Sequence, residues 1–125
     1  TPYDALLLAG FSFGSYVAAC GLSQCLDLDI NVRKLLLIAP PVHHMGFDQL
    51  PAFRRPVLVV QGDDDEVVPA ASVWEWVDRL ELIEFEGDSA KPVLVKLPDC
   101  GHFFHGKLPD LKAVIVQNVI GAPTK

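Results

Sequence analysis

Ser12 stands between two glycines in Gly10-Phe11-Ser12-Phe13-Gly14, at the end of the apolar run Leu6-Leu7-Leu8-Ala9. A serine hydroxyl is a weak nucleophile until a neighbouring imidazole takes its proton. The imidazole in turn needs a carboxylate on its other nitrogen, which holds its tautomer and stabilises its charged form. The chain offers both further on: the acidic run Asp63-Asp64-Asp65-Glu66, then His102. Gly-x-Ser-x-Gly after an apolar strand is the pattern of a nucleophile elbow, a strained turn that lifts the hydroxyl above the sheet. The backbone passes close to itself in such a turn, so the flanking positions need little or no side chain, and Gly10 and Gly14 meet that need.

Those residues work together only if the elements between them bring them to one place. Four apolar runs read as strands: Ala5 to Phe11, Arg33 to Ala39, Pro56 to Gly62 and Val93 to Leu97. Unbroken apolar runs of this length indicate strands buried on both faces, as in a parallel sheet. A helix is expected from Gly14 to Leu22, where Tyr16-Val17-Ala18-Ala19-Cys20 is small and apolar, followed by a polar connection from Leu26 to Asn31. Pro40-Pro41 ends the second strand, because proline cannot continue a ladder. Val42 to Arg55 reads as a long loop or a short irregular helix. A second helix opens at Pro69 or Ala70 and runs to Leu82, with Val73, Trp76, Val77 and Leu80 on one side. Glu86-Gly87-Asp88-Ser89 is a turn. A last helix starts near Pro109, with Leu111, Val114, Ile115 and Val119 on its buried face. This alternation calls for an α/β layered fold, a parallel sheet with helices on both faces. Ser12, Asp65 and His102 then all lie just past the C-terminal ends of strands, at one edge of the sheet.

The bulk composition agrees. The chain has 125 residues, half of them hydrophobic and a fifth charged, which suits one globular domain and excludes disorder. A net charge of −6 without any Lys/Arg cluster argues against nucleic acid or an anionic membrane surface as partner. No apolar run approaches the ~20 residues of a membrane-spanning helix. No signal peptide is visible in a chain that starts Thr1-Pro2. Cys20, Cys25 and Cys100 form an odd set without Cys-x-x-Cys spacing, so they read as reduced thiols of a cytoplasmic protein. No His-x-x-x-His or Cys/His spacing suggests a metal site, and no cofactor is implied.

Three segments together resemble the α/β-hydrolase superfamily, whose triad runs Ser, Asp or Glu, then His along the chain. They are Gly10 to Gly14, Val59-Val60-Gln61-Gly62-Asp63-Asp64-Asp65-Glu66-Val67-Val68-Pro69, and Cys100-Gly101-His102-Phe103-Phe104-His105-Gly106. Within the superfamily the chain is similar to small bacterial hydrolases related to dienelactone hydrolase. Those use cysteine in the elbow where this chain has Ser12, so their substrate does not carry over.

The resemblance implies the assignments. The acid follows the strand-ending glycine by three residues, with a valine three further on, which selects Asp65 between Gly62 and Val68. Asp63 and Asp64 are then loop carboxylates capping local N–H groups, and Asp48 is a minor alternative acid after the preceding strand. His102 is the base in preference to His105, with Phe103 and Phe104 walling its ring. His43 and His44 are solvated loop histidines or substrate contacts. Cys100, lacking an elbow, is a small packing residue. The N–H of Phe13, at the start of the following helix, is the expected oxyanion donor. Phe11, Phe13, and Phe103 or Phe104 would meet a small-molecule apolar acyl substrate.

The resemblance also implies strands before the elbow that this sequence does not contain, one of them leading to the second oxyanion donor. Residues 1–125 are accordingly expected to be the C-terminal portion of one hydrolase domain, from elbow to last helix. An elbow strand left with one unpaired apolar edge is an association hazard. The chain is expected to self-associate or to require its missing half, and a monodisperse monomer in light scattering would refute this. The expected chemistry is ester or thioester cleavage through an acyl-enzyme, with activity rising through pH ~6.5 as the imidazole deprotonates. The alternatives are a non-catalytic binding or assembly domain, and a serine peptidase of the same fold.

Overall fold

The computed structural model describes residues 6–83 and 91–121, the side chains of 119–121 excepted. Ala5, the turn at 86–89 and the side chain of Val119 lie outside what is described. Four strands, β1 (Leu6–Phe11), β2 (Val32–Ile38), β3 (Val57–Gly62) and β4 (Val93–Leu97), alternate with α1 (Phe13–Asp27), α2 (Ala70–Arg79) and α3 (Leu108–Ile115). A single 3-10 turn, Phe47–Gln49, lies between β2 and β3, and a π-helical turn over Val116–Gly121 follows α3. The strands stand in the order β1-β2-β3-β4, and every pair is parallel.

Consecutive parallel strands that step in one direction put their right-handed connections on one face. Ala18, Ala19 and Leu22 of α1 and Val73 and Trp76 of α2 accordingly share a core with Leu35, Leu37, Val57 and Val59. The helix after the last strand is not a crossover and covers the other face. There Leu111, Val114 and Ile115 of α3 pack on Leu36, Leu58, Val60, Leu97 and Phe104. Every residue of β3 is buried. Removing each of its apolar side chains from water contributes roughly 1.5–3 kcal/mol, which makes this central strand the firmest base for a site.

The structure corrects several sequence expectations. α1 continues to Asp27, past the expected end at Leu22, because Ser23, Gln24 and Cys25 extend the helix and Leu26 packs on the core. The polar connection is therefore shorter than expected. α2 stops at Arg79, since Leu80 is already extended, and Leu82 instead forms an isolated bridge with Phe53. The stretch from Val42 to Arg55 is anchored by edge-to-face packing of Phe47 and Phe53 on Trp76. The expectation of burial on both faces holds for β3 and the apolar centre of β2 but not for the outer strands, where Leu6, Leu7 and Phe11 of β1 and Val93 of β4 are exposed. β1 is an edge strand among the described residues, paired with β2 alone. No helix of the described residues is long and apolar enough to cross a membrane.

Candidate active site

The chain leaves β1 through Ser12, whose N–H still donates to the carbonyl of Ile38 at 2.7 Å. Ser12 sits at φ 54° and ψ −121°, a conformation that costs an L-residue on the order of 1–3 kcal/mol. It serves as the N-terminal cap of α1. The buried hydroxyl of Ser15 donates to its carbonyl, tying the turn to the first helical turn. A Cβ on Gly10 would lie 2.0 Å from the carbonyl oxygen of Gly14, so only glycine permits the approach of β1 to α1. Gly14 has no such constraint, because a Cβ there meets nothing within 4 Å. The need for a bare backbone falls on Gly10 alone.

The loops after β3 and β4 are laced together. Asp64 N–H donates to the carbonyl of Cys100 at 3.0 Å, and Asp63 N–H to that of Leu97 at 3.0 Å. Asp63 Oδ1 accepts from Asp99 N–H at 2.9 Å, so Asp63 caps a loop amide. A Cβ on Gly62 would meet the Cys100 carbonyl oxygen at 2.2 Å, which shows how closely the two chains pass. The buried Cys100 fills this crossing as a packing residue. Burial pushes its thiol pKa up; nearby Lys107 opposes this, while Asp63, Asp65 and Asp110 add to it.

These loops bring Asp65 and His102 together beside Ser12. Asp65 Oδ2 lies 2.8 Å from His102 Nδ1, and His102 Nε2 lies 3.0 Å from Ser12 Oγ. The side chains of His102 and Asp65 are 3% and 1% exposed, so their pairing is shielded from water. Asp65 Oδ1 accepts the N–H groups of Val67 and Val68, each at 2.7 Å. Burial pushes the Asp65 carboxyl up, but the hydrogen bonds from Val68, His102, Val67 and Gln61 outweigh it and hold the group below the usual carboxylate range.

The other sequence candidates separate cleanly. Asp48 forms an exposed ion pair with Arg79 at 2.9 Å, away from His102. Asp64 is exposed. His105 is exposed with its ring tilted against Phe103 at 6.3 Å, while His43 and His44 are exposed with their rings 5.9 Å apart. Phe11 and Phe103 flank the His102 ring at 5.2 and 4.9 Å. Phe103 is 57% exposed and Phe13 61%, whereas Phe104 is 2% exposed and belongs to the core. Of the two adjacent phenylalanines, only Phe103 is available to a ligand. Phe104 has φ 59°, and that reversal turns its side chain inward.

Two contributors were not anticipated. Gln61, buried at the end of β3, donates from Nε2 to Asp65 Oδ2 at 3.1 Å. Glu66 Oε1 accepts the His102 backbone N–H at 3.1 Å, and a bond from its own N–H together with that one holds its carboxyl below the usual range. The one available signal was a glutamine closing the otherwise apolar run Val57-Leu58-Val59-Val60.

No family model matches the chain. It is 35% identical over 77 residues, 59% of its length, to an uncharacterized protein of Rickettsia prowazekii, of which the match covers 31%. It superposes on an α/β serine hydrolase homologue from Coxiella burnetii with TM-score 0.70 and 38% identity, over 89% of this chain and 47% of that one. An α/β serine hydrolase without lid from Xanthomonas campestris gives TM-score 0.72 and 38% identity, over 95% and 48%. The parallel sheet and its helical layers match the α/β-hydrolase fold of these structures. The chain spans about half the length of these solved structures.

Proposed function

We propose that this chain carries the catalytic residues of a serine hydrolase that cleaves an ester or thioester through an acyl-enzyme. The observation that supports it best is the unbroken series of hydrogen bonds from Ser12 Oγ through His102 to Asp65 Oδ2. In acylation, Ser12 Oγ bonds to the acyl carbon as its proton passes to His102 Nε2. Asp65 keeps the other imidazole proton on Nδ1 and stabilises the cation. The imidazolium then protonates the leaving alcohol or thiol as its bond to the acyl carbon breaks. Water repeats the sequence, returning the proton to Ser12 and releasing a carboxylic acid.

Negative charge develops on the carbonyl oxygen in both halves. The N–H of Phe13 opens α1, where the first four helical N–H groups lack intrahelical partners and the dipole favours an anion. It is our candidate oxyanion donor. Phe11 and Phe103, with ring centroids 6.2 Å apart, and the exposed Phe13 next to Ser12 in the chain would suit an apolar acyl group.

The test uses a fluorophosphonate probe and p-nitrophenyl acyl esters. The protein should be labelled and should turn over ester, and Ser12→Ala should abolish both. Equal labelling of Ser12→Ala would overturn the nucleophile assignment. Absence of turnover in an intact protein would favour a binding domain, and cleavage of aminoacyl anilides a peptidase.

A further inference from the structure

Gln61 is the one buried polar side chain of β3. Strand alternation puts it in one row with Val57 and Val59, facing the apolar layer under α1 and α2. It is fully buried, and its Nε2 reaches three acceptors: Gly62 carbonyl oxygen at 3.0 Å, Asp65 Oδ2 at 3.1 Å and Val68 carbonyl oxygen at 3.5 Å. Its Oε1 is buried with no hydrogen-bond partner among the described residues. Turning the amide over would not help, because Oε1 would then face three acceptors. The side chain is thus held in one orientation at the expense of an orphaned oxygen. A buried orphan normally weighs against a residue, and an apolar side chain would avoid it.

What the amide does in exchange is complete the shell of Asp65. Oδ1 is filled by the N–H groups of Val67 and Val68, and Oδ2 by His102 and Gln61. A carboxylate offers about four such acceptor sites, so Gln61 fills the last. It acts on the very oxygen that receives His102 Nδ1–H, which fixes both the rotation of the carboxylate and its ionised form.

We infer that Gln61 is a positioning residue of this site, holding Asp65 as a correctly turned carboxylate so that His102 presents an unprotonated Nε2 to Ser12. This rests on the triad reading above. It adds a claim that reading does not contain: a fourth side chain, which touches neither substrate nor nucleophile, sets the proton affinity of the acid–base pair.

The experiment compares wild type, Gln61→Met, Gln61→Glu and Asp65→Asn by fluorophosphonate reaction rate across pH and by the low-field proton NMR signal of the imidazole N–H. Gln61→Met keeps volume and removes the donor. Loss of one hydrogen bond to a charged group is expected to slow the reaction about tenfold. It should also move the acid limb of the rate profile to higher pH and shift or broaden the low-field proton. Gln61→Glu keeps the shape and donates only while protonated, so its rate should fall with rising pH where wild type is flat. Met and Glu variants with the wild-type profile and low-field signal would overturn the inference. A slowed Met variant with both of those readouts unchanged would also overturn it, leaving Gln61 as packing. Should Gln61→Met not fold, Gln61→Glu and its reversed pH dependence decide alone. Failure of the triad reading is visible separately, as undiminished reaction of Asp65→Asn or of Ser12→Ala.

Discussion

Replacing Asp65 by asparagine changes one oxygen for an NH2 group and leaves the volume alone, and the structure decides where that nitrogen must go. At the Oδ1 position it would face the N–H groups of Val67 and Val68, each 2.7 Å away. The N–H of buried Val68 left without an acceptor costs roughly 1–3 kcal/mol, and that of the half-exposed Val67 less. At the Oδ2 position it faces His102, which adapts by changing tautomer, and Gln61, whose Nε2 still has the carbonyls of Gly62 and Val68 as acceptors. The nitrogen therefore takes the Oδ2 position and donates to His102 Nδ1. The imidazole proton is then on Nε2, pointing at Ser12, and the ring cannot accept the hydroxyl proton. The expected loss is about 10⁴-fold in acylation rate, the scale seen when a triad imidazole is held in the wrong tautomer. Stability at neutral pH should change far less than the ~5.5 kcal/mol that this rate loss represents. Single-turnover reaction with a fluorophosphonate measures the rate, and nitrogen NMR shifts of the imidazole report the tautomer. A variant keeping a tenth or more of the wild-type rate, or showing the proton still on Nδ1, would refute the reasoning.

The low carboxyl pKa of Asp65 has a signed consequence for folding. A group whose folded pKa is depressed stabilises the fold above its unfolded pKa, about 3.9, and loses that stabilisation as pH falls through the folded value. Denaturant unfolding of wild type should therefore weaken below pH ~4, and Asp65→Asn should show a shallower decline; parallel curves would count against it. Gly10→Ala puts a methyl 2.0 Å from the Gly14 carbonyl oxygen, a backbone atom that cannot swing aside. It should cost about 3 kcal/mol or more in thermal or denaturant unfolding, whereas Gly14→Ala, with open space around it, should be mild. Cys100 is buried with its thiol pKa pushed up, while Cys20 is exposed. Iodoacetamide should modify Cys20 in the native protein and spare Cys100 until denaturant is added, as read by peptide mass.

Much of this fold was legible because parallel strands buried on both faces leave uninterrupted apolar runs. β4 falls where Val93 to Leu97 predicts, β3 differs by one residue at its start, and β2 is shifted by one residue at both ends. The order of strands, helices and turns puts Ser12, Asp65 and His102 at one sheet edge, and the structure joins them by hydrogen bonds. The unpaired edge of β1 was expected from the family resemblance and not from composition, which reports what a strand could bury and not which neighbours it has. The choice between Phe103 and Phe104 was closed to sequence because it depends on a positive φ at an ordinary residue. Gln61 and Glu66 escaped notice for another reason. Their partners lie across a turn or in a different loop, and nothing in the one-dimensional spacing of a glutamine or a glutamate announces that it will meet Asp65 or the amide of His102.

The lacing of the β3 and β4 loops divides the site mechanically. Acid and base ride on one body, secured by the Gly62–Cys100 crossing and by amide hydrogen bonds at Asp63, Asp64 and Glu66. The nucleophile rides on another, a border strand held on one side by β2. The joint between the two bodies is the 3.0 Å hydrogen bond from Ser12 to His102, braced by the Phe11 ring. Whatever stiffens or displaces β1 therefore acts on that joint while leaving the acid–base pair untouched. In the proposed hydrolase, the reach of Ser12 for His102 would follow the fit of the sheet's border.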